Sequence, residues 1–266
     1  DERDVLSGYH AVEFLLWGQD LDDAREVTNR DDRSEAVKTH GAPNLAHGGQ
    51  RPVTDFDPAN CTSGEQAVEA VVCERRGEYL ELVADKLIAD LTGVRDQWDP
   101  QGEDNYYHAF TQPADMNEGN QRLLEILTGM GTLSEGELAG ERMQIALSVN
   151  SQEDEHSCFS DNTHRDIVLN AEGISNSFFG EYAGYDSDLD GTDDVDTRAI
   201  DGYGIENYLR DHGHGDVADS VSAALARTAD GYGEIDRLAR DGQPFDVLIE
   251  DIGAKRAQPV KETILS

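Results

Sequence analysis

Positive charge is scarce in this sequence. Lysine occurs only four times among 266 residues, whereas aspartate and glutamate together number 56, and the formal net charge is −35. A surface this acidic repels nucleic acid and anionic lipid, so a nucleic-acid partner is excluded. Two interpretations remain open: a solvated surface of the kind that halophiles use, or a surface that collects cations. The spread of acids along the whole chain favours the first.

Long hydrophobic runs are also missing. No run of 18 apolar residues is present, which excludes a transmembrane helix. The first four residues, Asp1 to Asp4, do not resemble a signal peptide. Because a strongly apolar stretch follows at once, we expect further sequence upstream.

Cysteine is rare, with three residues at positions 61, 73 and 158. No CxxC or CxxCH motif is present, which excludes zinc ribbons, thioredoxin-like chemistry and covalent haem. Continuous helix would separate Cys61 from Cys73 by roughly 18 Å, whereas a disulfide needs Cα atoms within about 7 Å. The segment that begins Cys61-Thr62-Ser63-Gly64 favours an irregular path, and we predict the bridge.

Apolar residues recur at helical spacing, and strand-like alternation is absent, so the sequence predicts an all-α fold. A polar loop is expected over residues 20–64 and an Asp-rich loop over residues 184–196. Helices are predicted over residues 5–17, 66–92, 117–129, 134–157, 162–182, 200–212, 215–231 and 232–254.

His10 and Glu13 lie three residues apart in the first predicted helix and therefore share one of its faces. Their neighbours are mostly apolar, and a carboxylate in such a setting is costly unless it is paired or bound to a cation. An imidazole beside a carboxylate can form half of an iron, zinc or manganese site. A hydrogen-bonded His–Glu pair in the core is an equally good interpretation. Gly8 is interpreted as a point of close approach for another helix.

A second candidate constellation lies on the helix predicted over residues 134–157. With Leu138 at the centre of the buried face, Ile145, Val149 and His156 fall on the same line at 100° per residue. Glu153 and His156 form a Glu-x-x-His pair, the spacing used by helical carboxylate metal proteins. Taken alone, this pattern favours a core histidine over a ligand.

Several blocks of sequence carry a resemblance to a known family. They are Gly8-Tyr9-His10-Ala11-Val12-Glu13 with the apolar residues after it, residues 136–143, residues 152–167, and the region around Cys61 and Cys73. The first block matches the GxHxxE signature of the imelysin-like family, and the others resemble its central and second-half blocks. The resemblance runs from about residue 5 to residue 183.

This resemblance implies two similar four-helix bundles with a functional site between them. We expect the first bundle to cover residues 1–130 and to carry the polar loop. It would be incomplete at its N-terminus, because the helices that precede GxHxxE are absent. The second bundle would cover residues 131–266 and carry the Asp-rich loop.

The resemblance also implies an exported protein, periplasmic or extracellular, with a lipid anchor in the missing upstream segment. Members of the family are tied to iron uptake, so the expected partners are a metal ion and iron-uptake components at the cell envelope. The leading hypothesis is non-catalytic binding of iron. A zinc-dependent metallopeptidase ranks second, because neither HExxH nor HxxEH is present. A helical module that binds no metal is the third hypothesis.

The predicted metal ligands fall into two groups, and the metal is iron with zinc as the alternative. The resemblance implies the first group, His10 and Glu13, and the second group, Glu141, Glu153, His156 and Asp161.

The Asp-rich loop resembles an inserted calcium loop of the D-x-D-x-D-G type. Its acids occupy loop positions one, three, five and nine, and Gly191 occupies position six. Thr197 replaces the usual acid at position twelve, so a simple acidic surface loop remains the alternative. The candidate calcium ligands are Asp186, Asp188, Asp190 and Asp194.

We predict that calcium stabilises the chain through this loop. Saturating calcium should raise the midpoint of thermal unfolding by about 2 to 4 °C for each kcal/mol of binding. The Asp190→Asn substitution should remove the effect, and magnesium serves as the control ion. Equal midpoints with calcium and with chelator would identify an ordinary surface loop.

Overall fold

The structure is a computed structural model, and it describes residues 6–18, 51–63, 66–149, 154–184 and 199–266. Helices dominate these residues, which confirms the all-α prediction. The strands among them form two antiparallel pairs of two residues per strand, β1 (Thr62–Ser63) with β2 (Gln66–Ala67) and β3 (Glu181–Tyr182) with β4 (Ile200–Asp201).

The α-helices are numbered in chain order. They are α1 (Tyr9–Trp17), α2 (Ala70–Gln97), α3 (Tyr106–Thr111), α4 (Met116–Gly131), α5 (Ala146–Val149), α6 (Thr163–Phe179), α7 (Ile205–Asp211), α8 (Gly215–Arg240), α9 (Phe245–Ile249) and α10 (Gln258–Ile264). Short 3₁₀ helices occur at Val53–Phe56, Pro58–Asn60 and Lys255–Ala257, and a π-helix covers Thr132–Ile145.

The chain divides into two compact units. The first contains residues 1–123 together with residues 151–162, and the second contains residues 124–150 and 163–266. The segment 151–162 therefore belongs with the N-terminal half, although it follows 27 residues of the second unit in the sequence. The division into two similar four-helix bundles stays a prediction.

In the first unit, α1 packs on α2. Ala11 and Leu15 of α1 and Val83 of α2 form its small buried cluster. The apolar stripe of α2 is less buried than its spacing suggests, because Tyr79 and Leu91 are exposed at 38% and 45%. Helical periodicity identified the helix, but it did not determine how much of the stripe is covered.

A buried carboxylate organises residues 51–63, the described part of the predicted polar loop. Asp55 is fully buried, and its carboxylate lies 3.2 Å from Arg51, 3.5 Å from Arg76 and 2.7 Å from the hydroxyl of Thr62. Burial and the nearby charge of Arg51 lower the pKa of Arg76, whereas Asp55 opposes that shift. This segment is therefore held against α2 by paired charges and is not a loose excursion.

Cys61 and Cys73 form a disulfide, with Cα atoms 5.8 Å apart. Cys73 lies in the first turn of α2, and the residues before that helix form the β1–β2 pair. The path between the two cysteines is thus irregular, the condition that a bridge over twelve residues requires. Both cysteines are buried.

The helix break predicted between residues 129 and 134 does not exist. Helix α4 continues through Gly131, which has helical dihedral angles, into the π-helix Thr132–Ile145 and then α5. Glycines at positions 129, 131, 136 and 140 weaken the local preference for α-helical spacing. The expected helix start at Ser134 is therefore wrong.

The π-helix also changes which residues are buried. Its i→i+5 spacing turns less per residue than the α-helical 100°, and its buried positions are Leu138 and Met143, five residues apart, followed by Ala146 and Leu147 in α5. Ile145 and Val149, both predicted on the buried line, are exposed at 46% and 49%. That prediction was wrong because it assumed α-helical geometry throughout.

The second unit contains the larger core. Helix α6 lies within the predicted range 162–182, and its apolar residues at helical spacing are all buried: Ile167, Ala171, Ile174 and Phe178. Helix α8 packs against α6 and is continuous over Gly215–Arg240, so the break predicted near residue 231 is absent. The short helix α9 adds buried apolar side chains, and α10 packs against α8.

None of the helices in the described ranges is long and apolar enough to cross a membrane.

We predict that Asp55→Ala lowers the free energy of unfolding by about 3 to 5 kcal/mol, because it leaves two largely buried guanidinium groups without their carboxylate. Asp90→Ala, which removes an exposed ion pair with Lys86, should cost less than about 1 kcal/mol. Trp17 and Trp98 are the only tryptophans and both belong to the first unit. Urea unfolding followed by tryptophan fluorescence therefore reports on that unit, and equal losses for the two variants would contradict the prediction.

Candidate functional site

Two glycines delimit the helix that carries the candidate site. Gly8 and Gly18 flank α1 with φ of 96° and 95°, a region that side-chain-bearing residues rarely adopt. Among the residues that the structure describes, none comes within 4 Å of a Cβ atom placed on Gly8. Gly8 is therefore needed for its backbone conformation, and no described helix makes the close approach that the sequence predicted at this position.

His10 and Glu13 are in contact one turn apart on α1. Nδ1 of His10 lies 2.9 Å from Oε2 of Glu13. Because a carboxylate oxygen accepts hydrogen bonds, the Nδ1–H group of His10 is the donor and Glu13 is the acceptor. The Glu13 side chain is 11% exposed, whereas that of His10 is 41% exposed. The acid is thus largely sheltered and the imidazole reaches towards the surface.

The second oxygen of Glu13 is held by Ser160, which lies in the turns of the second-half block 152–167. The backbone N–H of Ser160 donates to Oε1 at 2.9 Å, and its hydroxyl donates to the same oxygen at 2.6 Å. Glu13 therefore accepts hydrogen bonds at both oxygens, one from its own helix and two from a residue 147 positions away in the sequence. A carboxylate with so little exposure needs hydrogen-bond donors, and His10 and Ser160 supply them.

Two ring contacts join the same segments. The imidazoles of His10 and His156 pack edge to face with centroids 5.1 Å apart, and Phe14 packs on Phe159 in the same manner at 5.2 Å. His156 does not lie on a helix, because the preceding helix ends at Val149 and residues 154–161 form turns. The prediction of a helical His156 was wrong, yet its side chain reaches the first predicted constellation.

Asp161 directly follows Ser160 and is 7% exposed. Its φ of 58° places it in the left-handed region, which aspartate tolerates better than most residues. Glu155, beside His156, is also buried, at 4% exposure. Two buried acids and a half-buried histidine thus lie within seven residues of chain.

The structure brings together three of the predicted residues, His10, Glu13 and His156, and the first unit also contains Asp161. Glu141 is exposed on the π-helix of the second unit. Glu153 and the calcium candidates Asp186, Asp188, Asp190 and Asp194 lie outside the described residues. Across the described part of the chain, no group of three or more His, Cys, Asp or Glu side chains is arranged to hold a metal ion.

Sequence reasoning missed Ser160, although it lies within a block that had been singled out. A serine hydroxyl carries no spacing signal of its own, and its partner is distant in the sequence. The adjoining Asp161-Asn162, a turn-forming pair, indicated only that the backbone changes direction here.

These features define a helical protein in which a His–carboxylate pair on a glycine-bounded helix meets a histidine and a serine from a later turn. The family model described as imelysin, peptidase family M75, matches residues 1–262. The chain therefore belongs to the imelysin family. No curated protein matches it significantly.

We predict that Ser160→Ala lowers the free energy of unfolding of the first unit by about 1.5 to 3 kcal/mol, the range for a hydrogen bond to a charged group. Ser7→Ala, at an exposed position just before α1, is the control and should change stability by less than about 0.5 kcal/mol. Tryptophan fluorescence during urea unfolding measures both. A Ser160→Ala variant as stable as the control would show that the contact with Glu13 contributes little.

Proposed function

We propose that the protein binds a metal ion, iron in the first place, through His10 and His156, with Glu13 orienting His10, and that it does so without catalytic turnover. The observation that carries the proposal is the hydrogen bond from Nδ1 of His10 to a carboxylate that Ser160 holds in turn.

Histidine ligands commonly donate their second ring N–H to a carboxylate, which fixes the tautomer and makes the ligating nitrogen more basic. In His10 this arrangement assigns Nδ1 to Glu13 and directs Nε2 to the metal. Glu13 then orients His10 and is not itself a metal ligand. The resemblance had implied direct contact between Glu13 and the metal.

The spacing of the two imidazoles is compatible with one shared ion. A metal–nitrogen distance of about 2.0 to 2.1 Å puts each ring centroid about 3.2 Å from the metal, so two ligands at right or tetrahedral angles have centroids about 4.5 to 5.2 Å apart. The rings of His10 and His156 are 5.1 Å apart. Edge-to-face packing also favours this distance, so the pair can keep its spacing with and without an ion.

Two imidazoles do not complete a coordination sphere, and carboxylate oxygens are expected to supply the rest. Glu153 and Asp161 remain the predicted ligands nearest in sequence to His156. A mixed nitrogen and oxygen set suits iron, and zinc is the alternative. The ion is the cargo of this site and takes part in no bond-breaking step.

Export is part of the proposal, and the disulfide supports it. A bridge such as Cys61–Cys73 persists in oxidising compartments and is rare in the cytosol. A periplasmic or extracellular location, anchoring by an upstream lipid and contact with iron-uptake components follow from the family resemblance. The proposal includes a salty environment, because a solvated acidic surface keeps a protein soluble in strong salt.

A zinc-dependent peptidase is the second candidate, and the classification of the family among the peptidases favours it. A catalytic zinc normally has three protein ligands, an open position for water and a carboxylate to take the proton. Both oxygens of Glu13 are engaged by His10 and Ser160, which suits an orienting role better than that of a general base.

The test is a calorimetric titration of the protein with Fe(II), Fe(III) and Zn(II). It is done in about 1 M salt, where the Debye length is about 3 Å and binding to the acidic surface is suppressed. We expect one strong site. His10→Ala and His156→Ala should each weaken it more than about 100-fold, and Glu13→Gln about 10- to 100-fold.

His212→Ala, which removes an imidazole bonded to the backbone of Tyr208 in the second unit, is the matched control and should leave the affinity unchanged. Equal affinity in wild type and His10→Ala would overturn the proposal. Peptide hydrolysis that a chelator abolishes, zinc restores and His10→Ala removes would favour the peptidase instead.

A further inference from the structure

A cleft in the second unit lies between the π-helix, α6 and α8, and it is separate from the site on α1. Its volume is about 320 Å³, near the lower end of the range for small-molecule pockets. Leu138, Val168, Ile174 and Leu225 contribute to its apolar lining. We name this space the helix cleft.

Tyr232 lines the helix cleft and is only 3% exposed. Among the residues that the structure describes, its hydroxyl has no hydrogen-bond partner. Burial raises the pKa of this phenol well above its usual value, so the group stays neutral and can donate. No described residue receives this hydrogen bond and the hydroxyl is not sealed off from the cleft, so an acceptor atom of a ligand can receive it in place of water.

Gly233 leaves part of the cleft wall open. No described residue lies within 4 Å of a Cβ atom placed at this position, and the residue lies inside α8, where glycine is a poor helix former. The π-helix contributes Ser134 and Leu138 to the lining. Such wide helical turns are frequent at functional sites.

The charges around the helix cleft select among ligands. Its lining contains one charged side chain, the exposed Glu172, and neither lysine nor arginine. The net charge of the chain is strongly negative. Both features disfavour an anionic ligand such as a fatty acid and favour a neutral or cationic one.

We propose that the helix cleft binds a neutral or cationic apolar small molecule whose hydrogen-bond acceptor receives the Tyr232 hydroxyl. The apolar body of the ligand lies against Leu138 and Ile174, and any positive group lies at the mouth near Glu172. This site is independent of metal binding by His10 and His156.

The test uses a neutral naphthyl ketone, 6-propionyl-2-dimethylaminonaphthalene, whose emission reports on the polarity around its carbonyl. In about 1 M salt, which screens the surface charge, we expect a saturable blue shift with one probe per chain. An anionic anilinonaphthalene sulfonate should bind at least about tenfold more weakly, because the cleft offers it no cation.

Two variants locate the bound probe. Gly233→Phe fills the cleft and should weaken binding more than about tenfold, whereas Tyr232→Phe keeps the ring, removes the donor and should weaken it about five- to tenfold. Gly93→Phe is the matched control, because Gly93 is also a helical glycine with nothing within 4 Å of a Cβ, but it lies on α2. Circular dichroism checks that each variant is folded.

Absence of saturable binding to the wild type would overturn the proposal, and so would binding that neither Gly233→Phe nor Tyr232→Phe weakens. Should Gly233→Phe fail to fold, Tyr232→Phe decides alone. An unchanged affinity in folded Tyr232→Phe would remove the hydroxyl from the site and overturn the proposed mode of recognition.

Discussion

The carboxylate of Glu13 is the interaction on which the arrangement of the candidate site depends. One of its oxygens accepts from His10 on the same helix, and the other accepts twice from Ser160, 147 residues later in the chain. A sheltered carboxylate must be paired, and both partners are consequently held in fixed positions. The turn segment 154–161 thereby belongs to the same compact unit as α1, and His156 lies beside His10 as a result.

The same principle recurs elsewhere in this acidic chain. Asp55 in the first unit and Asp236 in the second are sheltered acids, and each is approached by two arginines. Because an arginine fork can satisfy several acceptor positions at once, the arginines at these two places stabilise carboxylates that are largely sheltered from water. Exposed acids need no such partner, which is how a net charge of −35 remains compatible with a folded chain.

Periodicity predicted much of the helical content but not its interruptions. The helix predicted over residues 162–182 was confirmed as α6, because its apolar residues keep α-helical spacing from Ile167 to Phe178. Positions 132–145 were misjudged, because glycine-rich sequence there adopts i→i+5 spacing and moves the buried face. His156 was assigned to the same helix because it falls on the Leu138 line at α-helical spacing, whereas it lies in turns. Ser160 could not be predicted, since its role exists only through a partner that is remote in the sequence.

The sequence by itself determined the helical class, the family resemblance and the pairing of His10 with Glu13, because each depends on residues close together in the chain. Only the tertiary structure decided what else contacts that pair, how Gly8 is used and where the cleft beside Tyr232 lies. The physical reason is that contacts over long sequence separations follow from which surfaces can be buried together. The spacing of apolar residues predicts where a helix forms, but it does not predict which distant segment will bond to the buried polar groups of that helix.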